Sequence, residues 1–428
     1  MKYKKINQNL FIKNREKITS NIEKDSIVIL NSNDIMPTNS DGTMPFIQNS
    51  DFFWLSGIDQ EESILILCPS CKENNMHEIL FLKKTNKHIA VWEGAKLTKR
   101  KAFETSGIKS VYWIDEFNNV LNQIVKNKKS IYLNKNIHSR ASSPVQTRDD
   151  RFRLFIQKTY PKKRIKEIAP LLHKYRAVKS SIEIELIKNA CNITEKGFRR
   201  ILPQIKPGIM EYEIEAELIC EFIRHRSSRF AYQPIIGSGK NSCVLHYISN
   251  NRKCKDGEIL LMDFGAEYAN YASDLTRSVP VNGRFSTRQK AVYNSVLRVM
   301  KEATKMLRPG TQFKNYNKEV GRLMELELIG LKLLDKHDVQ KQDLNKPLYK
   351  KYFMHGTSHY LGLDVHDVGN LEWEMKEGMI FTCEPGIYIL EEELGVRLEN
   401  DVLVTQNGPD DLMKNIPIEI EEIESLMN

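Results

Sequence analysis

The sequence predicts an α/β (α+β) chain of two domains, the second of them built by internal duplication. Three observations carry this reading. At 428 residues the chain is too long for one ordinary core. Its first third alternates short β-branched runs with helical patterns. Further on, residues 255–265 are echoed by 376–386, both reading K-acid-G-x5-acid-x-G. The boundary is expected near 170, with one domain over residues 1–170 and the other over 171–428.

In the first domain, residues 27–34 and 63–68 are rich in β-branched residues and Leu and are bounded by Asn, Asp, Ser and Pro, and 79–83 repeats the pattern. These are predicted strands. Helical spacing follows over 97–106 and 117–126, which makes the domain α/β. In the second domain, Ser180-Ser-Ile-Glu183 has the capping-box spacing, and Leu186, Ala190, Ile193 and Ile201 share one face up to a stop at Lys206-Pro-Gly208. Ser286-Thr-Arg-Gln289 opens a similar helix, with Val292, Val296, Val299, Ala303 and Leu307 as its stripe and Arg308-Pro-Gly310 as its stop. The two Pro-Gly stops lie 102 residues apart, a first sign of repetition.

The echoed units strengthen it. His246 stands eleven residues before Gly257 and His366 twelve before Gly378, while Asp274 follows Asp263 by eleven residues and Glu399 follows Glu384 by fifteen. Two halves related by a pseudo-twofold axis would bring the duplicated carboxylates into the cleft between them.

Composition narrows the function. Hydrophobic residues are 41% and charged ones 28%, the balance of a folded soluble chain rather than a disordered one. No apolar run approaches the roughly 20 residues of a membrane helix, and the basic first residues lead into Asn, Lys, Arg and Glu rather than an export signal. An odd count of seven cysteines argues for a reducing compartment, and the protein is expected to be cytoplasmic. Cys68-Pro-Ser-Cys71, without a second pair, is expected to be two small residues at a strand end. The net charge of +9 is concentrated in 121–180, where 16 Lys and Arg meet three acids. Without interleaved aromatics or a nucleic-acid motif, that stretch is expected to be a solvated face, with no specific nucleic-acid partner.

The chemistry comes from the acids. Any one of Asp263, Asp274, Glu384 and Glu399 is as readily a turn residue; the repeated foursome is not. Four carboxylates a few ångströms apart repel unless protons or cations neutralise them, and two divalent cations balance the charge. An oxygen-rich set with about one imidazole suits Mn²⁺ best, with Zn²⁺ or Co²⁺ as alternatives. His355, His359 and His366 fall within twelve residues just ahead of the second carboxylate pair, and His359 is the expected metal ligand. Two such ions would share a bridging water, lower its pKa and clamp a carbonyl, which is metal-assisted hydrolysis. Motifs for phosphoryl transfer, dinucleotide binding, serine hydrolysis and zincin proteolysis are missing, and Gly237-Ser-Gly239-Lys240 is expected to be a plain turn.

In order along the chain, Met262-Asp-Phe-Gly, Ser273-Asp-Leu-Thr-Arg, His355-Gly-Thr-Ser-His-Tyr-Leu-Gly-Leu-Asp-Val-His-Asp, Thr382-Cys-Glu-Pro-Gly-Ile-Tyr and Gly395-Val-Arg-Leu-Glu-Asn resemble the motifs of the Xaa-Pro aminopeptidases (aminopeptidase P) of the creatinase/prolidase/methionyl-aminopeptidase "pita-bread" superfamily. Asn49-Ser-Asp-Phe-Phe-Trp-Leu-Ser-Gly57 similarly resembles that family's creatinase-like N-terminal domain. The resemblance implies a metallo-exopeptidase that hydrolyses the N-terminal Xaa-Pro bond of peptides with proline second. It implies that Asp263 chelates one ion, His359 and Glu384 the other, and that Asp274 and Glu399 bridge both. Glu384 would shuttle the proton to the proline nitrogen, and His366 would hydrogen-bond the scissile carbonyl. His246 and His355 would line the pocket around the proline, with Arg397 and Tyr388 orienting the carboxylates. Relatives commonly associate, which implies a dimer or tetramer. Prolidase, an Xaa-Pro dipeptidase whose motif is closer to His-Gly-x-Gly-His than the Thr357-Ser358 version here, is the near alternative. A non-catalytic binding protein on the same fold is the alternative of another class.

Overall fold

Local chemistry explains most of the element boundaries in the computed structural model, which describes residues 2–138, 140–141 and 143–428. Two units emerge, one over residues 5–176 and one over 177–428 with the residues before Lys5. The boundary expected near 170 falls inside a helix that belongs to the first unit.

The first unit runs α1 (Asn9–Thr19), β1 (Ser26–Asn31), α2 (Ser50–Ser56), β2 (Ile64–Leu67), β3 (Glu78–Leu82), α3 (Lys87–Glu93), α4 (Lys99–Ser106), β4 (Ser110–Trp113), α5 (Phe117–Val125), β5 (Ser130–Leu133), α6 (Arg148–Thr159), β6 (Arg164–Glu167) and α7 (Ala169–Arg176). Its strands form a mixed sheet in the order β4-β3-β2-β1-β5-β6. β1 is central and buried along its whole length, as its unbroken Ile-Val-Ile-Leu run requires of a strand covered on both faces. One core cluster packs Ile27, Ile66, Phe81 and Ile131 of the sheet against Leu121 and Ile124 of α5.

Two expectations for this unit change. Cys68 and Cys71 form a disulfide rather than standing as two small residues at a strand end, because the β2–β3 turn brings their Cα atoms to 5.6 Å. The other five cysteines are free. The basic stretch is partly neutralised by the fold: Lys129 pairs with Asp25, Arg151 with Asp34, Arg153 with Glu167, Lys166 with Glu23 and Arg176 with Asp51. Apart from Glu167, these acids come from outside the stretch, which is why a local charge count overstates it.

The second unit opens with α8 (Ser181–Ile201) and α9 (Glu211–Arg224), then β7 (Ile235–Ser238), β8 (Ile259–Phe264), β9 (Glu267–Tyr268), β10 (Tyr271–Ala272) and β11 (Leu275–Pro280). Both predicted capping boxes form: Ser180 accepts from Glu183 N ahead of α8, and Ser286 from Gln289 N ahead of α10 (Thr287–Lys305). Their predicted stripes are buried. There follow α11 (Phe313–Gly330), α12 (Lys336–Lys341), β12 (Ile380–Cys383), β13 (Gly386–Ile389), β14 (Leu394–Arg397), β15 (Asn400–Thr405), β16 (Gly408–Asp411) and α13 (Ile420–Met427). Gly237–Lys240 is not the plain turn expected: Gly237 and Ser238 end β7, and Gly239 and Lys240 open a short 3₁₀ segment.

The duplication is visible in the sheets. β11-β8-β7 is one antiparallel three-stranded sheet and β12-β15-β16 another. Each places an echoed acid where its strand ends. No helix among the described residues is long and apolar enough to cross a membrane.

Candidate metal centre

The two ladders meet through a threonine. Asp263, near the end of β8, pairs in register with Thr276 of β11. Thr276 also bridges to Glu399, whose N donates to Thr276 O at 3.1 Å, while Thr276 Oγ1 donates to Glu399 Oε2 at 2.6 Å. Asp274 directly precedes β11, Glu384 directly follows β12, and Glu399 directly precedes β15. From Asp263 the chain turns back to Asp274 through the small β9–β10 ribbon, and β11 then pairs antiparallel with β8. The closure is tight. A Cβ on Gly265 would lie 1.7 Å from Ser273 O.

Asp274, His359 and Glu399 each offer a ligand atom within 4.8 Å of the others. His359 Nε2 is 3.4 Å from Asp274 Oδ2 and 3.5 Å from Glu384 Oε1. Its Nδ1 faces Tyr360 O at 3.0 Å, which fixes the ring and aims Nε2 at the acids. Asp263 joins the group by another route. Arg397 Nη2 donates to its Oδ2 at 2.5 Å, and the Tyr232 hydroxyl lies 2.5 Å from its Oδ1 while also reaching Asp274 Oδ1. One phenolic proton cannot fully serve two carboxylates, so that corner needs a further proton or a cation.

All five predicted ligands therefore converge, with Asp274, His359 and Glu399 the tightest set. His366 lies beside them, its ring edge-on to His359 at 4.3 Å between centroids. His355 Nε2 is 2.8 Å from the Tyr388 hydroxyl, which accepts from Arg397 Nη1 at 2.8 Å, and His355 Nδ1 is 3.8 Å from Glu384 Oε2. His246 stands on an exposed turn.

Sequence reasoning missed Tyr232, Thr276 and Asp401. Asp401 is fully buried, and its Oδ2 accepts from Asp274 N at 3.0 Å and from Cys191 Sγ at 3.5 Å. Its place two residues after Glu399, the spacing that returns side chains to one face of an extended chain, was a readable signal. Tyr232 offered none, being in a loop outside the echoed units.

The electrostatics are those of a site short of positive charge. Burial pushes Glu384 up to about 7 against the pull of His359 and Arg397. Burial and the neighbouring carboxylates hold Glu399 well above the usual range, and burial, against Arg397, raises Asp263. Burial works against protonated His359, yet Asp274 and Glu384 carry it up to about 9, whereas burial and then Arg397 drive His355 down to about 3. Glu399 Oε1 is buried with no hydrogen-bond partner. Crowded carboxylates, an aimed imidazole and an orphaned carboxylate oxygen fit divalent cations of the hard-to-borderline kind.

A duplicated fold that gathers four carboxylates and one imidazole at the seam of its halves defines a metal-dependent hydrolase. Residues 185–406 match the family model for metallopeptidase family M24, and residues 11–132 that for the aminopeptidase P N-terminal domain. The chain is 35% identical to the Xaa-Pro aminopeptidase of Haemophilus influenzae over 98% of this chain and 97% of that protein. Among solved structures it is similar to Escherichia coli aminopeptidase P in its low-pH form, with a TM-score of 0.89, 30% identity and 99% of both chains covered. It is similar also to the zinc-substituted E. coli enzyme in complex with product, with a TM-score of 0.88, 31% identity and the same coverage. The chain belongs to metallopeptidase family M24, among its Xaa-Pro aminopeptidases.

Proposed function

We propose that this protein removes the first residue from peptides whose second residue is proline, with two divalent cations held by Asp263, Asp274, His359, Glu384 and Glu399. The observation that carries the reading is the trio Asp274, His359 and Glu399, whose ligand atoms lie within 4.8 Å of one another, with Glu384 against His359 and Asp263 tied to Asp274 through Tyr232. Mn²⁺ is the ion the donor set suits best. When bound, the cations supply the positive charge that acidifies water and polarises a carbonyl.

The chain's own groups do the rest. Glu384, its backbone N fixed on Thr357 O at 2.8 Å, takes a proton from the attacking water and delivers it to the departing proline nitrogen. An amide nitrogen leaves readily only as the protonated amine, so a proton must be brought to the proline nitrogen. His366 donates to the scissile carbonyl as negative charge builds there. Arg397 holds Asp263 and, through Tyr388, orients His355, which with His246 flanks the proline ring. Residues 5–176 form the creatinase-like domain of this reading and 177–428 the catalytic one. Cytoplasmic residence and a homo-oligomeric state belong to the proposal; the free cysteines support the former, and the Cys68–Cys71 disulfide weighs against it.

The test is a parallel assay of an Xaa-Pro dipeptide and an Xaa-Pro-Yaa tripeptide with Mn²⁺ and with chelator. Release of the first residue from the tripeptide, abolished by chelation, is expected. Cleavage confined to the dipeptide would make the protein a prolidase, and binding without turnover in metal-loaded protein would make it a binding module.

A further inference from the structure

A buried ion pair stands outside the candidate metal centre. Lys179 Nζ donates to Asp367 Oδ2 at 3.0 Å, and the two side chains are 1% and 2% exposed. Taking both charges out of water is costly, and such a pair is weak grounds for stability, so its position matters more than its strength.

That position is informative. Asp367 follows His366 directly, in the irregular segment 361–371. Its carboxylate lies against Gly362, where a Cβ would come within 2.1 Å of Oδ2 and 3.0 Å of Lys179 Cε. Asp367 N donates to Tyr360 O at 2.8 Å, and Ala272 N donates to Gly362 O at 2.8 Å, so the loop is tied to the strand leading into Asp274. Lys179 is anchored in turn, its N donating to Gly378 O at 2.8 Å just ahead of β12. The lysine and the loop thus share fixed points on both halves of the duplicated unit.

We propose that Lys179 is a positioning residue: through Asp367 it fixes the loop that presents His366 edge-on to His359. The inference rests on the reading of His366 as donor to the scissile carbonyl. Without the ammonium, Asp367 loses its contact with Lys179 in the space under Gly362, the loop relaxes, and His366 no longer meets the carbonyl in one orientation. Substrate binding through other groups persists.

The experiment is a double-mutant cycle of Lys179→Met and His366→Ala, with kcat and KM measured on an Xaa-Pro tripeptide in Mn²⁺-loaded protein. Hydrogen–deuterium exchange of residues 360–370 in metal-free protein runs alongside. Lys179→Met should lower kcat about 10- to 100-fold, as misplacement of a catalytic group does. KM should move less than about threefold. Exchange in the loop should quicken while α8 and β8 stay protected, and in the His366→Ala background the lysine change should cost little more. An equal loss in both backgrounds, or unchanged loop exchange, overturns the proposal. A near-normal kcat for His366→Ala alone would instead refute the role of His366, and the exchange data would still say whether Lys179 holds the loop. Asp367→Asn, which keeps the shape against Gly362, is the second variant if Lys179→Met does not fold, and the same loss is expected of it.

Discussion

His355 and His359 sit four residues apart and are driven in opposite directions, down to about 3 and up to about 9. The difference lies in what each faces: burial and Arg397 for the first, Asp274 and Glu384 for the second. A cation must find His359 neutral, so at neutral pH binding has to expel its proton, and protons on Glu384 and Glu399 leave with it. Metal affinity should therefore rise as pH rises toward 9 and fall below it. Calorimetric titration of Mn²⁺ in buffers of different ionisation enthalpy should show net proton release, and uptake or no exchange would contradict the charge state. Glu384→Gln makes a sharper demand on the mechanism. It removes the proton carrier at nearly constant volume, so kcat should drop about 10²- to 10⁴-fold with the fold intact. Metal-loaded variant protein with near-normal turnover would remove Glu384 from that role.

At the scale of elements, much was legible because it is local. Capping boxes, apolar stripes and Pro-Gly stops act within a few residues, and α8 and α10 begin where Ser180 and Ser286 predicted. The echoed acids were legible because duplication writes the same spacing twice. What stayed hidden depends on contacts between distant segments, such as the Thr276–Glu399 bridge, Tyr232 across two carboxylates, and the acids outside 121–180 that pair with its cations. Gly265 shows the limit well. Its backbone is not in the left-handed region that calls for glycine; a Cβ there would run into Ser273 O, a contact no local pattern announces. Gly265→Ala should therefore force Ser273, and Asp274 with it, away from β8, costing about 1–3 kcal/mol as overpacking does. Chemical denaturation should show that loss together with weaker Mn²⁺ binding. Ser180→Ala, which removes only a helix cap, should cost about 1 kcal/mol and leave metal binding unchanged.

Over the whole molecule, the two units answer to different variables, and pH separates them. In the first unit, burial pushes Asp149 up to about 6, with Asn31 Nδ2, donating at 3.0 Å, and Arg148 only partly offsetting it and Asp51 adding repulsion. A carboxyl whose folded pKa is raised binds more protons folded than unfolded, so its contribution is full below about pH 4 and is lost as pH rises through 6. At pH 7 the ionised group costs the fold at most roughly 3 kcal/mol, less whatever its place in the first turn of α6 returns. Asp149→Asn keeps an oxygen for Asn31 and removes the charge. It should stabilise the protein at pH 7 and have little effect at pH 4. Mn²⁺ should act on the second unit, adding about 2.7 kcal/mol at a hundredfold excess over Kd. Denaturation of wild type and Asp149→Asn at both pH values, with and without Mn²⁺, therefore distinguishes two cases. Separate transitions, one moved by the variant and the other by the ion, mean that the units unfold independently, whereas a single transition moved by both means that their stabilities are linked. A variant that gains as much at pH 4 as at pH 7 would show that Asp149 carries no buried charge.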